Sequence, residues 1–308
     1  MKLSVVMPCY NAVSTLGGQL EALAQQQWSQ PWELLIVDNG STDGSQHLAR
    51  RYAPAIPHFR VIDASARRGQ AFARNVGVQA AVGDAVAFCD ADDEVAPGWV
   101  EAMGNALAHH GFVACREDTT KLNPPWLTAT RRNAQWDGPQ IVDFLPAYLH
   151  AGGGTLGVQR SLYTLVGGFD EALLCREDTD FCVKLQLAGV PLHFVPEAVI
   201  YIRYRSTLRE TYHQSRRWAL YGVKVHQKYR GVAGAKPLPS GKDYARSWPR
   251  LLWQALCMRH NTDCFRFAWR LGWQVGVLQG CFTKRHTSRG QWQGAGAIPA
   301  AERAHSSH

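Results

Sequence analysis

The sequence predicts an α/β fold, a mostly parallel sheet flanked by helices on both faces, with a C-terminal helical extension. Three observations predict it. Short apolar runs alternate with helix-period stretches through the first half of the chain. Those runs are apolar at successive positions, as strands covered on both faces must be. Beyond Thr207 the pattern becomes helical and basic.

The elements follow in order. Leu3 to Met7 is the first strand, closed by Pro8, and Ser14 is placed to cap a helix carrying Leu16, Leu20 and Leu23 on one face. Leu34 to Val37 is the second strand, after which Ser41 or Thr42 can cap a helix; Phe59 to Ile62 is the third. Arg67-Arg68-Gly69-Gln70 opens a helix that continues through Arg74-Asn75-Val76-Gly77. Ala85 to Cys89 is the fourth strand, and Pro97 suits the first turn of a helix presenting Val100, Met103 and Leu107. Residues 116–150 read as a loop-rich insertion. Gly152-Gly153-Gly154 then makes a turn, followed by a helix, by Gly167-Gly168-Phe169-Asp170, by a helix through Leu187, and by two short strands ending near Tyr204. Residues 231–243 are expected to be a linker and the tail 290–308 to be disordered. The chain thus divides into an α/β domain, 1–205, with halves 1–115 and 116–205, and a basic amphipathic helical region, 206–289.

Composition sets the outer limits. With 308 residues, 46% hydrophobic and 19% charged, the chain is neither disordered throughout, nor collagen-like, nor a coiled coil. Its net charge of +8 is unevenly spread: residues 1–202 hold 14 Lys/Arg against 21 Asp/Glu, residues 203–308 hold 19 against 4. An acidic body with a basic C-terminal region is expected of a protein that meets a polyanionic surface, and equally of one with a solvated basic face. The eight cysteines form no Cys-x-x-Cys pair and are expected to be reduced in a cytoplasmic protein; Cys257, His260 and Cys264 lack a fourth metal ligand and read as small buried side chains. The N-terminal apolar stretch is too short for a signal peptide, and no run reaches the length needed to span a membrane.

Chemistry concentrates at the predicted strand ends. The first strand ends in Pro8-Cys9-Tyr10-Asn11, the second in Asp38-Asn39-Gly40-Ser41, the fourth in Asp90-Ala91-Asp92-Asp93-Glu94. In a parallel sheet these converge on one edge, where ligands bind. Four acids in five residues repel one another unless a cation or proton sits among them, and oxygen-only ligands suit Mg²⁺ or Mn²⁺. The same string is also expected of a solvated acidic turn ahead of the Pro97 helix. Arg68 and Arg74, at a helix start, would favour a phosphate there, or else neutralise Asp84 and its neighbours.

The order of these motifs is recognisable. Val5-Val6-Met7-Pro8-Cys9-Tyr10-Asn11, Val37-Asp38-Asn39-Gly40-Ser41-Thr42-Asp43-Gly44, Ala73-Arg74-Asn75-Val76-Gly77, Phe88-Cys89-Asp90-Ala91-Asp92-Asp93, and Gly167-Gly168-Phe169-Asp170 followed by Glu177-Asp178 together resemble glycosyltransferase family 2, with its GT-A fold. The resemblance covers roughly the first two thirds of the chain. It implies inverting transfer of a sugar from a nucleotide-diphosphate donor to an acceptor hydroxyl, with Mg²⁺ or Mn²⁺ as cofactor. It further implies that Pro8, Tyr10 and Asp38 line the base and ribose pocket with Arg68 on the nucleotide. Asp90 and Asp92 match the acids of the Asp-x-Asp motif, and Asp178 the catalytic base. Gly153 and Gly154 look like the small-residue segment on the acceptor side, where Glu177 is also placed; Asp180 reads as a helix N-terminal acid.

One departure stands out. Where family members often carry a metal-binding His, this chain has Tyr201-Ile202-Arg203-Tyr204-Arg205, so Arg203 or Arg205 either neutralises the diphosphate or pairs with the acidic body. In the C-terminal region, Trp248, Trp253, Trp269 and Trp273 mix with arginines, and Gly272, Gly276 and Gly280 recur every fourth residue. This pattern suits helices lying on an anionic membrane surface at the inner face of the cell membrane, and also plain helix packing. The expected acceptor is a glycan or lipid-linked intermediate, and no nucleic acid is expected. A sugar nucleotidyltransferase would need a Gly-rich, Arg/Lys-bearing loop after the first strand, which is missing; a non-enzymatic nucleotide- or nucleic-acid-binding protein would use the basic region alone.

Overall fold

The protein was described from a computed structural model covering residues 2–131, 133–238 and 246–282. The expected tail, 290–308, and part of the expected linker lie outside the described residues.

An eight-stranded sheet has the order β3-β2-β1-β4-β9-β6-β10-β5. Its parallel strands are β1 (Leu3–Cys9), β2 (Trp32–Asp38), β3 (Arg60–Asp63), β4 (Ala85–Phe88), β6 (Phe112–Asp118) and β10 (His193–Tyr201). Two run the other way: β5 (Glu94–Val95) on the edge beside β10, and β9 (Leu156–Gln159) between β4 and β6. Both were missed in the sequence. The third strand is also less buried than expected: β3 is an edge strand, half-buried at most positions.

Alternation along each central strand feeds two cores. Leu3, Val5 and Met7 of β1, with Leu34 and Ile36 of β2, pack under α1 (Val13–Ala24), α2 (Ser45–Arg51) and α4 (Trp99–His109) through Leu16, Leu20, Ala49 and Trp99. Val6, Leu35 and Val37 face the other way, onto α3 (Gln70–Ala80) and α7 (Glu177–Leu187), meeting Ala73, Phe169, Phe181 and Leu185. Burying both faces explains why the strands read as unbroken apolar runs.

Helix starts differ from expectation. The first N-cap is Ala12, not Ser14, and the second helix is preceded by Gly44 in a left-handed conformation, with Asp43 Oδ1 accepting from the Ser45 N–H at 3.0 Å. Pro97 precedes α4, whose N-cap is Gly98. Residues 116–150 are more ordered than a loop: after β6 come the short α5 (Pro125–Thr128) and a hairpin of β7 (Gln140–Val142) and β8 (Leu145–His150). After Gly152, a 3₁₀ turn (Gly153–Thr155) runs into β9 before the expected helix, α6 (Arg160–Leu165). The two strands expected near Tyr204 are one, β10, with a register break between Val195 and Val199 around Pro196, which has no N–H to donate.

The extension packs on the α/β body. α8 (Leu208–Tyr229) lies against the hairpin and α7 through Tyr221, Val225 and Tyr229, and it also packs against α10 (Asn261–Phe282). Gly276 makes that second contact possible: a Cβ there would lie 2.1 Å from the Arg216 carbonyl oxygen of α8. Between them, α9 (Ser247–Leu256) leaves Leu252, Trp253 and Leu256 exposed. Among the described residues no helix is long and apolar enough to cross a membrane.

Candidate active site

β1 and β2 end side by side, Cys9 opposite Asp38 and Pro8 opposite Val37. Asp38 is buried, and its Oδ2 accepts from the N–H groups of Gly40 (3.2 Å) and Ser41 (3.1 Å) and from Gln46 Nε2 (2.6 Å). Burial, reinforced by the Asp38 charge, pushes the Cys9 thiol up to about 11, which keeps it inert. Asn39 ties the next loop down, donating to Ala64 O and Arg67 O and accepting from the Gly69 N–H. That fastening brings the Arg68 guanidinium to 4.0 Å over the Tyr10 ring, with Tyr10 half exposed. Pro8, Tyr10, Asp38 and Arg68 therefore meet at one sheet edge, where a flat base can stack.

The acidic run follows β4 onto the same edge. Oxygens of Asp90, Asp92 and Asp93 lie within 4.8 Å of one another, the one such cluster among the described residues. Burial and the Asp90 charge raise Asp92; burial and the charges of Asp92 and Asp90 raise Asp93 well above the carboxylate range. Crowded carboxyls that resist ionisation, with oxygen the only donor atom, fit a hard divalent cation. The Cys257, His260 and Cys264 trio forms no such cluster, and Cys257 is exposed rather than buried.

The segment after β10 reaches this cluster. Arg205 Nη1 pairs with Asp92 Oδ2 at 3.0 Å, Arg203 Nε donates to Asp92 O at 3.0 Å, and the Arg203 N–H donates to Asp93 Oδ1 at 2.8 Å. In this structure both arginines thus contact the acidic run.

Arg74 joins the two halves. It is fully buried, donating from Nη2 to Asp90 Oδ1 (2.9 Å) and from Nη1 to Glu177 Oε1 (2.8 Å). Burial opposes its charge, but Asp90, Glu177 and Asp178 outweigh burial and keep it protonated. The sequence offered Asp84 as its partner; that carboxylate instead accepts from the Lys2 N–H. Glu177, expected on the acceptor side, is a buried strut for Arg74.

Asp178, at the start of α7, is half-buried; Oδ2 accepts from the Gly153 N–H at 3.2 Å and Oδ1 from the Thr179 N–H at 2.6 Å. The glycine turn fills the space between it and the acidic run. A Cβ on Gly153 would lie 2.6 Å from Arg74 Nη1, and one on Gly154 would lie 2.8 Å from Asp90 Cγ. Only glycine lets the backbone pass between these groups. Asp180 is an acid in the first turn of α7, as expected, and is buried with Lys184, Lys228 and Tyr229, which also holds α7 to α8.

Sequence reasoning missed Glu117, at the end of β6. Its Oε1 would lie 2.9 Å from a Cβ on Gly152, and burial followed by the Asp178 charge pushes its carboxyl up to about 7. A polar strand end gives no hint of this; only the partner turn does. His150, also missed, ends β8 and is pushed down to about 4 by burial and the Arg176 charge, with Asp178 and Asp143 opposing.

Comparison with known proteins decides the family. Residues 4–156 match the description "Glycosyl transferase family 2", and residues 85–284 match "Glycosyl transferase family group 2". The chain belongs to glycosyltransferase family 2. It is 43% identical over 102 residues to the uncharacterized glycosyltransferase YibD of Escherichia coli, covering 33% of this chain and 29% of that protein. It is 25% identical over 198 residues to glycosyltransferase AglE of Haloferax volcanii, covering 64% of this chain and 65% of that one. The matches thus span from under a third to just under two thirds of these relatives' lengths. The mannosyltransferase PcManGT of Pyrobaculum calidifontis, solved with GDP-Man and Mn²⁺, shares the GT-A fold: TM-score 0.66 at 18% identity, over 92% of this chain and 87% of that one.

Proposed function

We propose that this family 2 glycosyltransferase is inverting. It moves a sugar from a nucleotide-diphosphate donor to an acceptor hydroxyl in glycan, polysaccharide or glycolipid synthesis, on the inner face of a membrane. One observation carries the reading: the Gly152–Gly154 turn lies against Asp90 at Gly154 and donates to Asp178 from the Gly153 N–H, so the acidic run and the Asp178 carboxylate stand on two sides of one short turn.

The donor's base stacks at Tyr10 and Arg68, with Asp38 near the ribose. Asp90 and Asp92 would hold Mg²⁺ or Mn²⁺, as the donor set fits and as the Mn²⁺ bound to the archaeal mannosyltransferase suggests. Such an ion neutralises charge that builds on the departing diphosphate. Arg203 and Arg205 add positive charge there. Asp178, with both oxygens oriented by backbone N–H groups, accepts the proton of the acceptor hydroxyl as that oxygen bonds to the sugar's anomeric carbon, and the anomeric carbon–phosphate oxygen bond breaks on the opposite side. Attack opposite the leaving group inverts the anomeric centre.

The test is nucleotide release from a panel of nucleotide-sugars, with and without chelator. Wild type is expected to release nucleotide from one donor in a metal-dependent way, Asp92→Ala and Asp178→Asn far more slowly. Equal release by all three proteins with every donor overturns the reading.

Membrane contact rests on α9. Leu252, Trp253 and Leu256 project from it to solvent beside Arg246 and Arg250, both exposed, whereas Trp269 packs edge-on against Trp218 inside the extension. An exposed apolar strip flanked by arginines suits the headgroup region of an anionic leaflet.

A further inference from the structure

A cavity of about 280 Å³ opens between the β7–β8 hairpin, the start of α7, and helices α8 and α10. Both Arg176 and Thr179 line it, and they bracket Asp178 in the chain. His150 lines it too, close enough to Asp178 to feel its charge.

Arg176 is the unusual member. Its backbone is left-handed, φ 62°, a conformation that costs a side-chain-bearing residue and that Gly or Asn adopts more easily. Its guanidinium sits 5.0 Å from the Trp218 ring and 6.0 Å from the Trp273 ring. Its Nε is buried without a hydrogen-bond partner, and no carboxylate pairs with it among the described residues. A buried donor left without a partner is costly, so a ligand that supplies one is expected. Lys236 adds a second cation to the lining, against one acid, Asp143. Val223, Val277 and Trp273 supply the apolar part of the lining.

From this arrangement we infer that the cavity is the acceptor's binding site and that it selects an acceptor sugar bearing an anionic group, a phosphate or a carboxylate, held by Arg176. The volume falls just below the usual range of ligand pockets, ~300–1,000 Å³, and so suits one substituted ring rather than a lipid chain. Arginine is the side chain whose planar donors match either oxyanion. The inference rests on Asp178 being the acceptor's base, because the same short segment supplies both residues. It also gives the C-terminal helices a role in the reaction, as one wall of the acceptor site.

The test is calorimetric titration of the full chain, with metal chelated, using glucose, glucose 1-phosphate, glucuronate and inorganic phosphate. At least one charged sugar is expected to bind ten-fold or more tighter than glucose. Glucose 1-phosphate against glucuronate tells phosphate from carboxylate, and inorganic phosphate shows whether the ring is needed. Arg176→Asn, which suits the left-handed backbone, is expected to erase the preference, and Arg176→Lys to retain part of it. Equal binding of charged and neutral sugars by wild type overturns the inference, even if the Asn variant fails to fold. So does a preference that survives Arg176→Asn, since the anion then binds elsewhere. Transfer measured on Asp178→Asn reports separately on the proposed function.

Discussion

Arg74 and Glu177, separated by 103 positions in the chain, meet at 2.8 Å, while the second terminal nitrogen of Arg74 holds Asp90 at 2.9 Å. This buried bridge fixes the start of α7, and with it Asp178, relative to the acidic run after β4. Removing the cation leaves two carboxylates facing each other without compensation. Arg74→Ala is expected to cost about 3–5 kcal/mol of stability, measured by urea unfolding. A change under about 1 kcal/mol would mean the bridge contributes little to the fold.

Glu117 gives the stability a pH signature. Its folded-state value, about 7, lies above the ordinary 4.5. The folded protein therefore binds a proton that the unfolded chain releases, and stability falls as pH rises from about 4.5 to about 7. Glu117→Gln is expected to remove about 1–3 kcal/mol of that decline. Unfolding curves that lose stability equally in both proteins across this window would contradict the assignment.

How far this was readable from the sequence depends on the range of the interaction. Asp90 and Asp92 stood out because they directly follow the apolar β4, and Asp178 because it belongs to the Glu177-Asp178 pair that opens α7. The central strands were equally plain because both faces are buried. β9 was missed because Leu156-Gly157-Val158-Gln159 is short and contains glycine, and only its neighbours β4 and β6 make it a strand. Glu117 and Arg176 were silent for the same reason: a turn 35 residues on gives one its meaning and two distant helices the other. Nor does the sequence say which acid Arg74 meets.

Arg205 pairs with Asp92, a carboxylate that the proposed cation would use. The pair is half exposed on the arginine side, 48%, so its contribution is modest. Arg205→Gln is expected to tighten Mn²⁺ binding about 2–5-fold in the absence of nucleotide, read by electron paramagnetic resonance. Weaker binding in the variant would show instead that Arg205 organises the site.

The α9 strip predicts a separable membrane function. Replacing Leu252, Trp253 and Leu256 together by Ser is expected to lower flotation with anionic vesicles about ten-fold or more, since each large apolar side chain contributes about 1.5–3 kcal/mol when buried. Unchanged flotation would leave the strip without a membrane role.

The most direct measurement follows the sugar itself. Water can be supplied as a surrogate acceptor, so donor hydrolysis, watched by proton NMR, would reveal the first anomer formed. With an α-linked donor, attack assisted by Asp178 from the face opposite the diphosphate predicts the β-sugar, formed about 10²–10⁴-fold more slowly by Asp178→Asn. First appearance of the α-sugar, or an unchanged rate in Asp178→Asn, would contradict the account.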